Sequence, residues 1–216
     1  MQIQFISKFL IAVLLATQLS ACGVLAVGGV AAGASVMADR RTPGVQAIDN
    51  GIEMEANAAL SKRFGDNAHI NVTSFNQKVL LTGEAKDADI KGEAGAYVKA
   101  MKNARTVFNE IVIGPNSTYT ARANDSYLES KIKTQMIFTD KLPSNSMSIV
   151  AEGTSVYLMG ILTQNEADLA KKVASNTNGV KDVYVYFDII SDAEKNRLEK
   201  QGKADESQPN SPPKFQ

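Results

Sequence analysis

The 216-residue chain has one cysteine, one histidine, no tryptophan and no net charge, with 23 basic residues balanced by 23 acidic ones. A sole cysteine, Cys22, cannot close a disulfide within the chain, even in an oxidising compartment. The sole histidine, His69, stands beside Ile70 in a predicted strand and reads as a strand-surface residue. A histidine-dependent triad or a zinc cluster would need partners that the composition does not supply. Each of the chain's two repeats, counted separately, has a slight acidic excess. Nucleic-acid binding needs a concentrated basic face, so that class is excluded. Glu84, Asp87 and Asp89 form the one conspicuous carboxylate cluster. Asp87 and Asp89 are more simply explained as acidic residues at a helix N-terminus, where negative charge is favourable. No catalytic residue, metal site or soluble cofactor is expected, and the chain does not read as an enzyme.

Long apolar runs are confined to the start. Lys8 is the single charge before an apolar stretch, Phe9 to Leu15, and Leu19-Ser20-Ala21-Cys22 comes next. That tetrad resembles the lipobox of bacterial lipoproteins. The resemblance implies a signal peptide over residues 1–21, cleavage before Cys22, and a covalent N-acyl diacylglycerol group on Cys22 as the lipid attachment. With each buried methylene contributing roughly 0.8 kcal/mol, three acyl chains would hold essentially permanently. Gly23 stands where lipoproteins retained at the inner membrane usually carry aspartate, which implies the periplasmic face of the outer membrane. A buried free cysteine and an uncleaved signal anchor are the weaker alternatives. Val24 to Met37 is uncharged and rich in glycine and alanine, and its glycines and the preceding lipobox argue against a membrane span. Residues 22–48 are read as a flexible tether ending at Asp39, Arg40, Arg41 and Pro43.

Beyond the tether comes a tandem repeat. Val79-Leu80-Leu81-Thr82 runs into Gly83, and Val156-Tyr157-Leu158-Met159 runs into Gly160. Each run reads as a buried strand closed by a glycine that supplies a positive φ or a close backbone approach. Upstream of each lies an amphipathic helix. Ile52, Ala56, Ala59 and Leu60 make its apolar face in the first copy, Leu128, Ile132 and Met136 in the second. Asn50 with Glu53, and Ser126 with Glu129, have capping-box spacing and are expected to open these helices. Ile70 and Val72, with a turn at Asn76-Gln77, and Ile149, with a turn at Glu152-Gly153, give the preceding strands. A second helix comes after each glycine, capped in the second copy by Thr163 with Glu166. Alternation then predicts last strands over Val107, Asn109, Ile111 and Ile113, and over Val183, Val185, Phe187 and Ile189. The expected fold is α+β: two tandem α-β-β-α-β sandwich domains at 49–114 and 119–190, each with a core thin enough that they should pack together. Residues 191–216 are polar and expected to be mostly disordered beyond a short helix started by Ser191 and Glu194.

This arrangement resembles the BON domain (bacterial osmotically inducible and nodulation), and in particular lipoproteins with two such domains. Ala68-His69-Ile70-Asn71-Val72-Thr73, Lys78-Val79-Leu80-Leu81, Asn109-Glu110-Ile111 and Asn124-Asp125-Ser126 carry the likeness. It implies a non-enzymatic module that meets phospholipid or other envelope components. It further implies support of outer-membrane integrity, and work at the division site near peptidoglycan amidase activation. Tyr127 stands where such a chain would be expected to carry tryptophan.

The candidate membrane-binding residues are Tyr127, Lys131, Thr134 and Phe138, on a second face of the helix that carries Leu128. Two aromatics flanking a lysine suit a bilayer interface, with the rings among headgroups and the ammonium on phosphate. The first copy has Gly51 at the Tyr127 position and lacks the pattern. Two readings stay open: that this face meets anionic phospholipid, or that it packs against the first domain. Alongside lipid binding, a protein-binding adaptor for amidase regulation or outer-membrane assembly is the second function class.

Overall fold

A computed structural model describes residues 39–207, with side chains through Gln201; residues 1–38, including Cys22 and the expected signal peptide, and 208–216 lie outside the described residues. In chain order the elements are α1 (Pro43–Phe64), β1 (Ala68–Phe75), β2 (Lys78–Ala85), α2 (Ala88–Lys99), β3 (Thr106–Asn109), β4 (Val112–Ile113), α3 (Tyr119–Ile137), β5 (Met147–Glu152), β6 (Ser155–Leu162), α4 (Gln164–Ser175), β7 (Asp182–Ile189) and α5 (Asp192–Ser207). Each repeat forms a sheet around its second strand. β1 and β3 flank β2, with β4 continuing beside it, and β5 and β7 flank β6. The first neighbour is antiparallel through a hairpin, and the last is parallel after a helical crossover.

The apolar runs that define the repeat are continuous because both faces of the central strands are covered. Val79, Leu81 and Ala85 turn toward α1 and α2, where they join Ile52, Ala56, Leu60, Ala94 and Val98. Val156, Leu158 and Leu162 turn toward α3 and α4, joining Leu128, Ile132, Met136, Ala170 and Ala174. The residues between face the other repeat. Phe75 and Leu80 meet Val150, Tyr157, Met159 and Ile161, and the Phe108 ring stacks on Tyr186 at 4.1 Å. The result is four layers, helices outside and two sheets face to face. Polar bonds close the seam: Tyr186 Oη donates to Glu110 (2.8 Å), Asn71 to Glu152 (3.0 Å), and Lys78 pairs with Asp188 (2.8 Å).

Both repeat glycines lie inside their strands rather than closing them; each strand continues two residues further. Their reasons differ. Gly83 has φ +99°, and a Cβ there would sit 2.0 Å from the His69 carbonyl oxygen. Gly160 takes ordinary extended geometry, but its Cβ would meet Ser146 O at 2.9 Å and Met147 Cγ at 3.0 Å. The hairpin of the first repeat turns on Asn76 and Gln77, both at positive φ, while that of the second turns at Gly153-Thr154, one residue later than expected.

Four expectations need correction. Asn50 and Ser126 do not cap helices; α1 begins at Pro43 behind Thr42, and α3 at Tyr119 behind Thr118, each threonine accepting an amide three residues on. The alternation over 107–113 is not one strand, because Ile111 is buried between β3 and β4 and breaks the ladder. The third correction falls on 39–48. Arg40 is only 4% exposed, forks onto Glu166 (2.7 and 2.9 Å), and donates to Ile161 O (2.9 Å) and Glu199 (2.8 Å). Arg41 holds Asp39 and Asp49 and lies over the Phe75 ring at 3.9 Å. Thus Asp39 to Asp49 is built into the fold, with Arg40 on the second repeat and Arg41 on the first. The fourth concerns the tail. α5 runs for 16 residues. It is pinned by Lys195 to Glu166 (2.8 Å) and Glu199 to Arg40, with Leu198 against the seam. Composition alone would leave it unfolded, but buried opposite charges supply the contact.

Candidate membrane-facing site

α3 is tethered on one side and open on the other. Leu128, Ile132 and Met136 are buried in the second core. Next to them Asp125 accepts from Gly153 N and Glu129 from Ala151 N, both at 2.9 Å, and burial raises both carboxyls above their usual range. At the far end the Lys133 ammonium donates to the Ser144 carbonyl, and burial lowers its pKa.

On the opposite face stand the four candidate residues. Tyr127 is 69% exposed and Phe138 79%, and Thr134 is also exposed, its hydroxyl donating to Ser130 O at 2.8 Å. Lys131 is half-buried, its ammonium reaching Asn178 O at the surface (2.9 Å). This face therefore does not pack on the first repeat; the sheets make that contact instead.

The structure adds two residues that sequence reasoning missed. Tyr119, 87% exposed, and Ile137 fall on the same side. At 100° per residue, Tyr119, Ala123, Tyr127, Ser130, Lys131, Thr134, Ile137 and Phe138 fall within about 120° of arc and run about 28 Å along the axis. The stripe carries one basic residue and no acidic one. Tyr119 was discoverable eight residues ahead of Tyr127, had the helix start been read at Thr118. The matching positions on α1 are Pro43, Ala47, Gly51, Met54, Glu55, Ala58, Ser61 and Lys62, so the first repeat presents no aromatic there.

His69 lies on β1 with Nδ1 3.9 Å from Glu84, while Asp87 caps α2 and Asp89 sits in its first turn. Glu84 accepts from Ser117 N instead (3.0 Å). Among the described residues no three His, Cys, Asp or Glu side chains are grouped to hold a metal ion, and no helix is long and apolar enough to cross a membrane.

Two α-β-β-α-β modules packed sheet to sheet, with one aromatic helix face left open, define a paired α+β module. The BON domain profile matches residues 49–115 and 124–190, and the chain belongs to that family. It is 30% identical over 174 residues to the outer membrane lipoprotein DolP of Haemophilus influenzae, covering 80% of this chain and 90% of that one. It is 29% identical to the 21 kDa hemolysin of Actinobacillus pleuropneumoniae, covering 70% and 79%. A structure of CdsD, a structural protein of the type III secretion system of Chlamydia trachomatis, is similar at 15% identity with a TM-score of 0.27, over 69% of this chain and 68% of that one; a likeness that slight carries no argument. The relationship to DolP makes the chain an outer-membrane lipoprotein with tandem BON domains.

Proposed function

We propose that the chain is a non-enzymatic module, anchored through acylated Cys22 to the periplasmic leaflet of the outer membrane, that lays the open face of α3 on anionic phospholipid. Through that contact it supports outer-membrane integrity and division-linked envelope remodelling, as the family resemblance implies. The observation that carries the reading is the aromatic stripe, exposed along the whole helix and absent from the equivalent helix of the first repeat. A helix with aromatics along one side and a lysine at its margin suits the headgroup zone, its axis in the membrane plane. Each basic residue near an anionic surface contributes roughly 1 kcal/mol, so binding without acyl chains is weak and salt-sensitive. It orients a molecule that is already tethered. Sixteen residues lie between Cys22 and Asp39, and an extended chain spans up to about 3.5 Å per residue, which is ample reach for α3 to meet the same leaflet.

The second reading, a protein-binding adaptor, is favoured by exposed Tyr184, Val185 and Ile189 on the edge strand β7. Co-sedimentation of the Cys22→Ser chain with vesicles separates the two. Lipid binding requires retention on phosphatidylglycerol vesicles at low salt, none on phosphatidylcholine, and reduced retention for Tyr127→Ala and Lys131→Glu. A parent chain that stays in the supernatant with both lipids hands the lead to the adaptor.

A further inference from the structure

In the first repeat the helix closes the free edge of the sheet. β1 is an edge strand, and side chains spaced four residues apart along α1 meet its outward backbone groups one after another. Asp49 accepts from the amides of Asn76 (2.9 Å) and Gln77 (2.7 Å), and Glu53 accepts from Ser74 N (2.7 Å). Asn57 completes the ladder, accepting from Val72 N (3.2 Å) and donating to Val72 O (3.4 Å).

α3 repeats two of these rungs on β5. Asp125 takes Gly153 N and Glu129 takes Ala151 N. The third rung is missing. Lys133, four residues beyond Glu129, stands where Asn57 stands and donates to Ser144 O instead. In an antiparallel pair every second residue turns its backbone groups outward, so the direction of Ala151 fixes that of Ile149. The outward N–H and C=O of Ile149, the counterparts of those Asn57 covers on Val72, enter no such hydrogen bond among the described residues.

They open on a cleft of about 390 Å³ between β1 and β5, lined by Asn57 and Thr73 on one side and by Ser148, Ile149 and Val150 on the other. Asp125, Glu129 and Glu152 stand in its wall, against Arg122 as the one arginine or lysine. Burial raises all three carboxyls, so each would gain from a cation brought alongside.

We infer that this cleft binds an extended, basic polypeptide segment, which adds to the edge of β5 at Ile149 and sets lysine or arginine side chains against Asp125, Glu129 and Glu152. A donor and an acceptor on one residue, both facing out of a sheet edge, are complementary to another strand. The acidic wall selects the sign of that strand. The inference does not depend on lipid binding, because the stripe that meets lipid lies on the opposite face of α3.

The test is an NMR titration of the full chain in a neutral detergent with a blocked peptide of alternating lysine and valine, set against one of alternating glutamate and valine. The basic peptide should bind and shift the amides of Ser148, Ile149 and Val150 first, and the acidic one should not bind. Lys133→Asn supplies the missing rung and should weaken binding on the order of tenfold, with slower amide exchange at Ile149. Glu152→Gln keeps an acceptor for Asn71 while removing a charge, and should weaken binding as well. The inference is overturned if neither peptide binds, if both bind alike, if the shifts fall elsewhere, or if folded Lys133→Asn and Glu152→Gln chains bind as the parent does.

Discussion

Replacing Arg40 by alanine tests how the start of the folded region is held. The guanidinium makes a two-pronged bond to Glu166 and single bonds to Ile161 O and Glu199, from a side chain only 1% exposed. Arg40→Ala leaves Glu166 buried with Lys195 as its remaining cation and turns a neutral foursome into one with a net negative charge. Removing one partner of a buried pair costs about 3–5 kcal/mol. Lys195 still reaches Glu166 Oε1 at 2.8 Å, which puts the loss near the lower end, about 3 kcal/mol. A chain of this size loses about 2–4 °C of Tm per kcal/mol, so melting followed by circular dichroism should fall by roughly 6–12 °C. Arg40→Lys should recover little of it, because an ammonium cannot reproduce the fork. Trypsin should also cut α5 faster in the Arg40→Ala chain, since Glu199 loses its partner. A melt within about 2 °C of the parent would refute the reasoning, since a buried pair broken on one side cannot be that cheap.

Gly83→Ala should destabilise more than Gly160→Ala in urea melts: the first meets a carbonyl at 2.0 Å with φ +99°, the second only a tight contact that a shift of Met147 relieves in part. A loss of about 2 kcal/mol or more is expected at Gly83, and equal midpoints for the two variants would contradict the distinction. Stability should pass through a maximum with pH. Burial raises the carboxyls of Glu53, Asp125, Glu129 and Glu152, so they oppose folding when charged, and the urea midpoint should climb as pH falls toward their unfolded values of 3.8 to 4.5. Glu166 acts the other way: burial opposes its charge, but Arg40, Lys195 and the Thr163 amide outweigh that and hold it at about 2 against 4.5 unfolded. Its contribution, about 3 kcal/mol at most, is complete above the unfolded value and is lost as pH falls toward about 2. A midpoint that falls steadily from pH 7 downward would contradict this assignment. Cys22→Ser should leave the protein unacylated and absent from the outer-membrane fraction; unchanged gel mobility when lipoprotein processing is inhibited would overturn the attachment site.

Periodicity carried the fold because the buried positions repeat at helix and strand spacing in both copies. Ile52, Ala56 and Leu60, Leu128, Ile132 and Met136, and the two glycine strands were therefore readable, as was the Thr163–Glu166 cap. The helix starts were not. Asn50 with Glu53 and Ser126 with Glu129 have the spacing of a cap, yet the two glutamates reach across to strand-edge amides, a tertiary role that no local window contains. Thr42 before Pro43 was the better local sign of a helix start, passed over beside a glycine- and alanine-rich stretch. The place of Arg40 depends on Glu166 and Glu199, 126 and 159 residues away in sequence, and α5 has too few apolar residues to show a period. At the candidate site Tyr127, Lys131, Thr134 and Phe138 were legible as a face, but its exposure was not, since a surface helix and a docked one share the same pattern.

The most direct test of the membrane reading is which amides broaden when anionic micelles are added to the Cys22→Ser chain. The account predicts broadening along α3 at Tyr119, Tyr127, Lys131, Thr134 and Phe138, little along α1, and none with zwitterionic micelles. Broadening centred on the first repeat, or spread evenly over both repeats, would contradict it.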